Sequence, residues 1–137
     1  MQRLSHALSA FPRQRLTVGP TPIERLERLE AALGSALRGA QLYVKRDDVQ
    51  GLGGGGNKLR KLEFLLGEAL RQQADTVIAV GGRQSNFARL TAAACARLGL
   101  QCELVLTQVV PRQDADYQHN GNVLLDQLFG ARIHDLP

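Results

Sequence analysis

From Leu42 onward the chain alternates short β-branched, apolar runs with longer segments whose apolar residues recur three and four positions apart. This alternation limits the folds open to it more than any other feature. Residues 41–45, 76–80, 102–107 and 131–136 read as strands, and residues 76–80 (Thr-Val-Ile-Ala-Val) are apolar enough for burial on both faces. Between them, a helix is expected from Asn57 to about Gln72, with Leu59, Leu62, Leu66 and Leu70 on one stripe. A second runs from about Ser85 to Leu98 and stops at Gly99. A third runs from Asn120 to Phe129 with Leu124, Leu125 and Leu128, closed by Gly130. Strand–helix–strand alternation of this kind gives an α/β fold: a parallel sheet, right-handed crossovers, and helices on both faces. Upstream, Thr21-Pro22-Ile23-Glu24 has the form of a helix start. Thr can cap, Pro suits the first helical position, Glu completes a capping box, and Ile23, Leu26, Leu29 and Leu33 follow before Gly34.

Composition narrows the function classes. The net charge is +4, and arginines crowd the first forty residues (Arg3, Arg13, Arg15, Arg25, Arg28, Arg38). They alternate with acids and apolar residues, and no aromatic platform accompanies them, so a solvated basic face fits better than a nucleic-acid surface. Cys95 and Cys102 lie in apolar stretches and read as small buried thiols rather than a disulfide. His6, His119 and His134 are dispersed, so no metal-ligand spacing arises. No apolar run reaches membrane-spanning length and no secretory leader is evident, which makes the cytoplasm the expected compartment.

Open α/β sheets bind ligands beyond the carboxyl ends of their strands. Two loops there are rich in glycine and small polar groups, residues 47–57 and 81–86. The run 51–56 matches G-x-G-x-x-G, but five residues separate it from its strand, and the next strand ends at Val80-Gly81 without an acid. A dinucleotide site is therefore disfavoured. A phosphate-binding P-loop fails too, because Asn57 intervenes before Lys58 and Leu59 stands where Ser or Thr is needed. What remains is a lysine in the first turn of a helix behind a glycine loop. Glycines allow close backbone approach to a ligand, and the helix N-terminus disfavours an ammonium, which favours a nucleophilic amine at Lys58. Ser85-Asn86 opens the next helix. Either residue can cap it, and backbone N–H groups there can also hold an anion such as a substrate carboxylate. Asp47 and Asp48 read as loop-structuring acids rather than a catalytic pair, and Tyr117, His119 and Asn120 as the start of the third helix.

As a set, these strings resemble pyridoxal-phosphate enzymes of the tryptophan-synthase-β (fold type II) group. They most resemble the branch with D-cysteine desulfhydrase and aminocyclopropane-carboxylate deaminase. The matching strings are residues 43–48, Gly51-Leu52, residues 55–63, residues 81–86 with Arg89 and residues 91–93, residues 121–125, and Gly130-Ala131. Pro12-Arg13 and residues 20–23 fit the N-terminus of that branch. The resemblance implies pyridoxal 5'-phosphate as cofactor and Lys58 as its Schiff-base lysine. It places Asn57 and Asn86 as cofactor contacts, with Asn86 at the phenolic oxygen, and Ser85, Asn86 and Phe87 against a small amino-acid substrate. Lys58 and Ser85 would be catalytic and no metal is implied. It further implies a D-cysteine desulfhydrase-like lyase, with aminocyclopropane-carboxylate deamination as the alternative. It assigns residues 1–40 to a large domain, residues 41–137 to a small α/β domain, and a homodimer at full length.

Two positions depart from the pattern. Phe87 follows Ser-Asn where desulfhydrase-like members carry His and deaminase-like members Gln, and Leu90 replaces a polar residue. Residues 107–117 look more desulfhydrase-like. The family is more than twice this length, and its phosphate-cradling glycine loop falls beyond position 137. The chain alone is therefore expected to be an N-terminal portion without efficient catalysis, or a noncatalytic remnant.

Overall fold

The computed structural model describes residues 6–136. Five strands are present: β1 (Ile23–Arg25), β2 (Tyr43–Lys45), β3 (Thr76–Gly82), β4 (Gln101–Thr107) and β5 (Arg132–Leu136). The helices are α1 (Glu27–Leu33), α2 (Lys58–Arg71), α3 (Asn86–Leu98), α4 (Ala115–His119) and α5 (Asn122–Leu128). Strands β3, β4 and β5 form a parallel sheet in sequence order. Successive crossovers of one hand then carry α3 and α5 to the same face, where they pack on each other and on the strands.

The core lies on that face. Leu59, Leu62 and Leu66 of α2 meet Ala88, Leu90, Ala92 and Cys95 of α3, with Ala79, Cys102, Leu104 and Leu106 from the sheet beneath. Each fully buried leucine contributes roughly 1.5–3 kcal/mol, and the unbroken burial from Ala88 to Cys95 makes α3 the central helix. Cys95 and Cys102 are free, buried thiols, as expected.

Five expectations change. Residues 21–25 do not begin a helix: Ile23–Arg25 pair antiparallel with Tyr43–Lys45, and α1 starts only at Glu27. The Thr21 hydroxyl donates to Asp47 Oδ1 at 2.7 Å instead of capping. A long-range partner strand outcompetes a local capping pattern here. It also takes β2 out of the parallel sheet, which has three strands rather than four. Strand β3 is not buried on both faces, since Ile78 and Val80 are 70% and 63% exposed; helices over that second face are not among the described residues. The third crossover helix is split in two, α4 capped by Asp114 and α5 preceded by Gly121 at φ +60°. The stripe of α5 is also rephased, with Val123 and Asp126 buried while Leu124 and Leu128 are exposed.

The N-terminal segment is held by a buried acid. Glu63, on the inner face of α2, accepts from Leu16 N, Thr17 N and Thr17 Oγ1 at 2.6–2.9 Å and from Arg13 Nε at 2.6 Å. Burial opposes its charge, yet these donors outweigh it and hold its pKa below the usual carboxylate range. Residues 13–17 and the β1–β2 ribbon thus connect the first forty residues to the remainder of the chain.

Candidate active site

Lys58 is the first residue of α2, as the sequence implied. Its Nζ donates to Asn57 Oδ1 at 3.2 Å, so the neighbouring amide orients the amine, and no acid pairs with it among the described residues. In the preceding loop Gly53, Gly54, Gly55 and Gly56 all have positive φ. Two of these glycines are demanded by contact. A Cβ on Gly53 would lie 2.6 Å from Ala93 Cβ, and one on Gly55 would lie 2.2 Å from the Asp48 carbonyl oxygen. Gly53 is required because the loop lies directly on α3, and Gly55 because the loop folds back on its own backbone.

The same loop is braced from below. Asp47 is buried and takes two hydrogen bonds from Arg60, at 2.7 and 2.5 Å, besides that from Thr21. Chiefly through Arg60, its carboxyl is held well below the ordinary range. Asp47 is therefore a structural brace, consistent with the loop-structuring reading.

Ser85 is the N-cap of α3, and its Oγ accepts from Ala88 N at 3.2 Å, leaving its own O–H to donate. Gly81 makes room for it, because a Cβ there would lie 2.8 Å from that oxygen. Asn86 begins the helix, and its Oδ1 accepts from Asn122 Nδ2 at 3.0 Å and from Arg89 Nη2 at 3.4 Å. The ring of Phe87 lies under Lys61, with Nζ 3.6 Å from its centroid, and packs against the core. Leu90, the other departure, is fully buried and fills the space beneath Gly53 and Gly56.

Arg89 joins the two loops. Its guanidinium donates to the carbonyls of Gly53 and Gly55 (the latter at 3.1 Å) as well as to Asn86. One side chain thus ties the turn that delivers Lys58 to the helix start that carries Ser85 and Asn86. Behind it sits Asp126, with no exposed surface and no hydrogen-bond partner for either oxygen among the described residues; Arg89 Nε is also unpartnered. Burial raises the Asp126 carboxyl to about 7, with Arg89 opposing the shift. Burial in turn lowers the Arg89 pKa, and Asp126 partly restores it. Sequence reasoning missed Asp126. The available signal was a polar pair on facing helices: an arginine within an alanine-rich buried stretch, and an acid three residues after a buried valine.

An open cleft of about 400 Å³ adjoins Ser85, lined by Gly82, Gln84, Val109, Val110 and Tyr117. A larger one of about 550 Å³ lies along residues 13–20. There Arg13 is engaged by Glu63, Arg60 by Asp47 and Lys45 by the Thr21 carbonyl, so the smaller cleft is the better match to the chemistry. No cluster of three metal-ligating side chains occurs among the described residues, nor is any helix there long and apolar enough to cross a membrane.

Residues 14–137 match the family model described as pyridoxal-phosphate dependent enzyme. A 1-aminocyclopropane-1-carboxylate deaminase of Allorhizobium ampelinum is 49% identical over 127 residues, covering 92% of this chain and 37% of that protein. Another of that name, from a Methylobacterium species, is 48% identical over the same shares. A crystal structure described as an ACC deaminase homologue superposes with TM-score 0.83 at 40% identity, over 99% of this chain and 38% of that one. The chain thus spans about 37% of the length of the curated relatives it matches. The residues present fit the cofactor this family uses: among the described residues, Lys58 offers an amine paired with no acid, and the Asn86 amide offers a donor with no acceptor. On its sequence match and its fold together, the chain belongs to the pyridoxal-phosphate-dependent enzyme family of fold type II.

Proposed function

We propose that this chain supplies the lysine-bearing part of a deaminase that opens and deaminates a small cyclic α-amino acid of the 1-aminocyclopropane-1-carboxylate type. The observation that carries the reading is Arg89, which draws the Lys58 turn and the Ser85–Asn86 helix start into one site. The names of the similar proteins favour the deaminase over the D-cysteine desulfhydrase first expected from residues 107–117.

In this reading Lys58 Nζ would hold the cofactor, and Asn57 Oδ1 orients that amine. Bound pyridoxal phosphate supplies an electron sink for charge developing on the substrate. The Lys58 amine would hold or move a proton at Nζ beside the bond being broken. The Ser85 O–H, set by its capping bond, donates to the substrate carboxylate or an adjacent atom. Backbone N–H groups at the start of α3 add to that anion site. Asn86 presents its amide N–H to the phenolic oxygen of the cofactor. Phe87 puts no hydrogen-bonding amide or imidazole beside the substrate, its ring being held under Lys61 and against the core. Residues 41–137 then act as the small domain of a homodimeric enzyme working in the cytoplasm.

D-cysteine desulfhydration stays as the second reading because Val109, Val110 and Tyr117 of the 107–117 segment line the cleft beside Ser85. The test uses the protein from its complete reading frame, loaded with pyridoxal phosphate. Release of 2-oxobutanoate and ammonia from 1-aminocyclopropane-1-carboxylate, exceeding release of pyruvate and sulfide from D-cysteine, is the expected result. The reverse ranking selects the desulfhydrase, and bound cofactor with neither product rejects both.

A further inference from the structure

Three side-chain amides run from Gln84 in the loop after β3, through Asn122 at the start of α5, to Asn86 at the start of α3, and the orientation of each is dictated by the one before it. Gln84 Nε2 donates to two backbone carbonyls, Tyr117 O at 2.7 Å and Asn120 O at 3.0 Å. A carbonyl accepts only, so the nitrogen of that amide must face them, and Oε1 is left to accept from Asn122 N at 2.9 Å. Gly121 is bare beneath this contact, since a Cβ there would lie 2.8 Å from Gln84 Oε1. Asn122 Nδ2 in turn donates to the Gln84 carbonyl at 2.8 Å, which fixes the second amide and directs its other N–H at Asn86 Oδ1, 3.0 Å away. Arg89, which can only donate, reaches the same oxygen.

Asn86 therefore has no choice of orientation. Its oxygen faces two obligatory donors, and reversing the amide would set N–H against N–H on both sides. Its Nδ2 has no acceptor among the described residues and is turned to the open side of the helix start. We propose that Gln84 and Asn122 are positioning residues that lock the polarity of the Asn86 amide, so that it offers a hydrogen-bond donor, and never an acceptor, to an anionic oxygen of the cofactor. The inference rests on Asn86 being a cofactor contact. It adds how the chain sets the sign of that contact, using residues that do not themselves touch the ligand.

The experiment is a double-mutant cycle on the protein from its complete reading frame, titrated with pyridoxal phosphate and followed by visible absorption across pH. Asn122→Asp keeps the size of the side chain but removes both donors and sets a carboxylate against Asn86 Oδ1, so the Asn86 amide loses the stronger of the two donors that fix its polarity and only Arg89 remains. Cofactor affinity should fall about tenfold, the loss of one charge-assisted hydrogen bond, and the pH dependence of the bound cofactor's absorption should shift. Asn86→Asp imposes the reversed polarity directly at an exposed position and should reproduce both changes without disturbing the scaffold. In an Asn86→Ala background, Asn122→Asp should add nothing to the affinity loss, because it acts only through the missing amide. Unfolding of the cofactor-free proteins identifies any variant that has lost its fold, and in that event Asn86→Asp carries the test. Additive losses in the cycle, or an Asn86→Asp protein with unaltered affinity and absorption, overturn the proposal and leave the cofactor reading intact. A wild-type protein that takes up no pyridoxal phosphate overturns the cofactor reading, and the proposal with it.

Discussion

Gly51 and Gly53 are two residues apart in the turn ahead of Lys58, yet alanine should act oppositely at the two positions. Gly53 sits at φ +60°, where a side chain costs about 1–2 kcal/mol. A Cβ there also meets Ala93 Cβ at 2.6 Å and Leu90 Cδ2 at 3.1 Å. Both neighbours belong to the buried face of α3 and neither can swing aside, so overpacking adds about 1–3 kcal/mol. Gly53→Ala should therefore cost about 2–5 kcal/mol, a large part of the roughly 5–15 kcal/mol that holds an ordinary domain folded. Gly51 has φ −57° and nothing within 4 Å of its Cβ position. Gly51→Ala should be neutral, or stabilise by about 0.4–1 kcal/mol through the unfolded chain. Urea unfolding of the three proteins, compared at equal m-value, measures both effects. Equal stabilities for the two variants, or a Gly53→Ala protein within about 0.5 kcal/mol of wild type, would show that the loop does not rest on α3 as described.

Other perturbations probe the remaining contacts. Because burial raises the folded-state pKa of Asp126 to about 7, above about 3.9 for an unfolded aspartate, the folded chain holds that proton more tightly. Its stabilising effect is complete below about pH 4, is lost as pH rises toward 7, and amounts to at most about 4 kcal/mol. Asp126→Asn should flatten that slope in unfolding experiments from pH 4 to 8, and an unchanged slope refutes the assignment. Glu63→Gln strands the Arg13 contact and weakens the anchor of residues 13–17, so it should destabilise by about 1–3 kcal/mol, read by thermal or urea unfolding. Arg89→Lys cannot span the carbonyls of Gly53 and Gly55 and Asn86 together. Amide exchange across residues 53–56 should accelerate about tenfold; unaltered protection there would remove Arg89 from its bridging role. Lys58→Ala should abolish borohydride-trapped cofactor in the full-length protein, and continued labelling elsewhere on the chain would displace Lys58 from its proposed role.

The features legible in the residues alone are local. The spacing of Leu59, Leu62 and Leu66, the Ser85 cap and the Gly99 stop are properties of neighbours within about one helical turn. They located α2 and α3 to within a residue, and with them the positions of Lys58, Ser85 and Asn86. Features that depend on distant partners emerge only in the folded chain. Ile23–Arg25 carry a helix-start pattern, but pairing with Tyr43–Lys45 makes them a strand. The leucines of α5 look like its inner face, but the helix packs on α3 with Val123 and Asp126 inward, and Leu124 and Leu128 are left exposed. The glycine turn marked a ligand loop in the sequence, yet its brace, a single arginine thirty-six residues downstream of Gly53, could be seen only in three dimensions. Capping and periodicity are settled within a few residues, whereas buried polar groups are placed by whichever partner the fold brings to them.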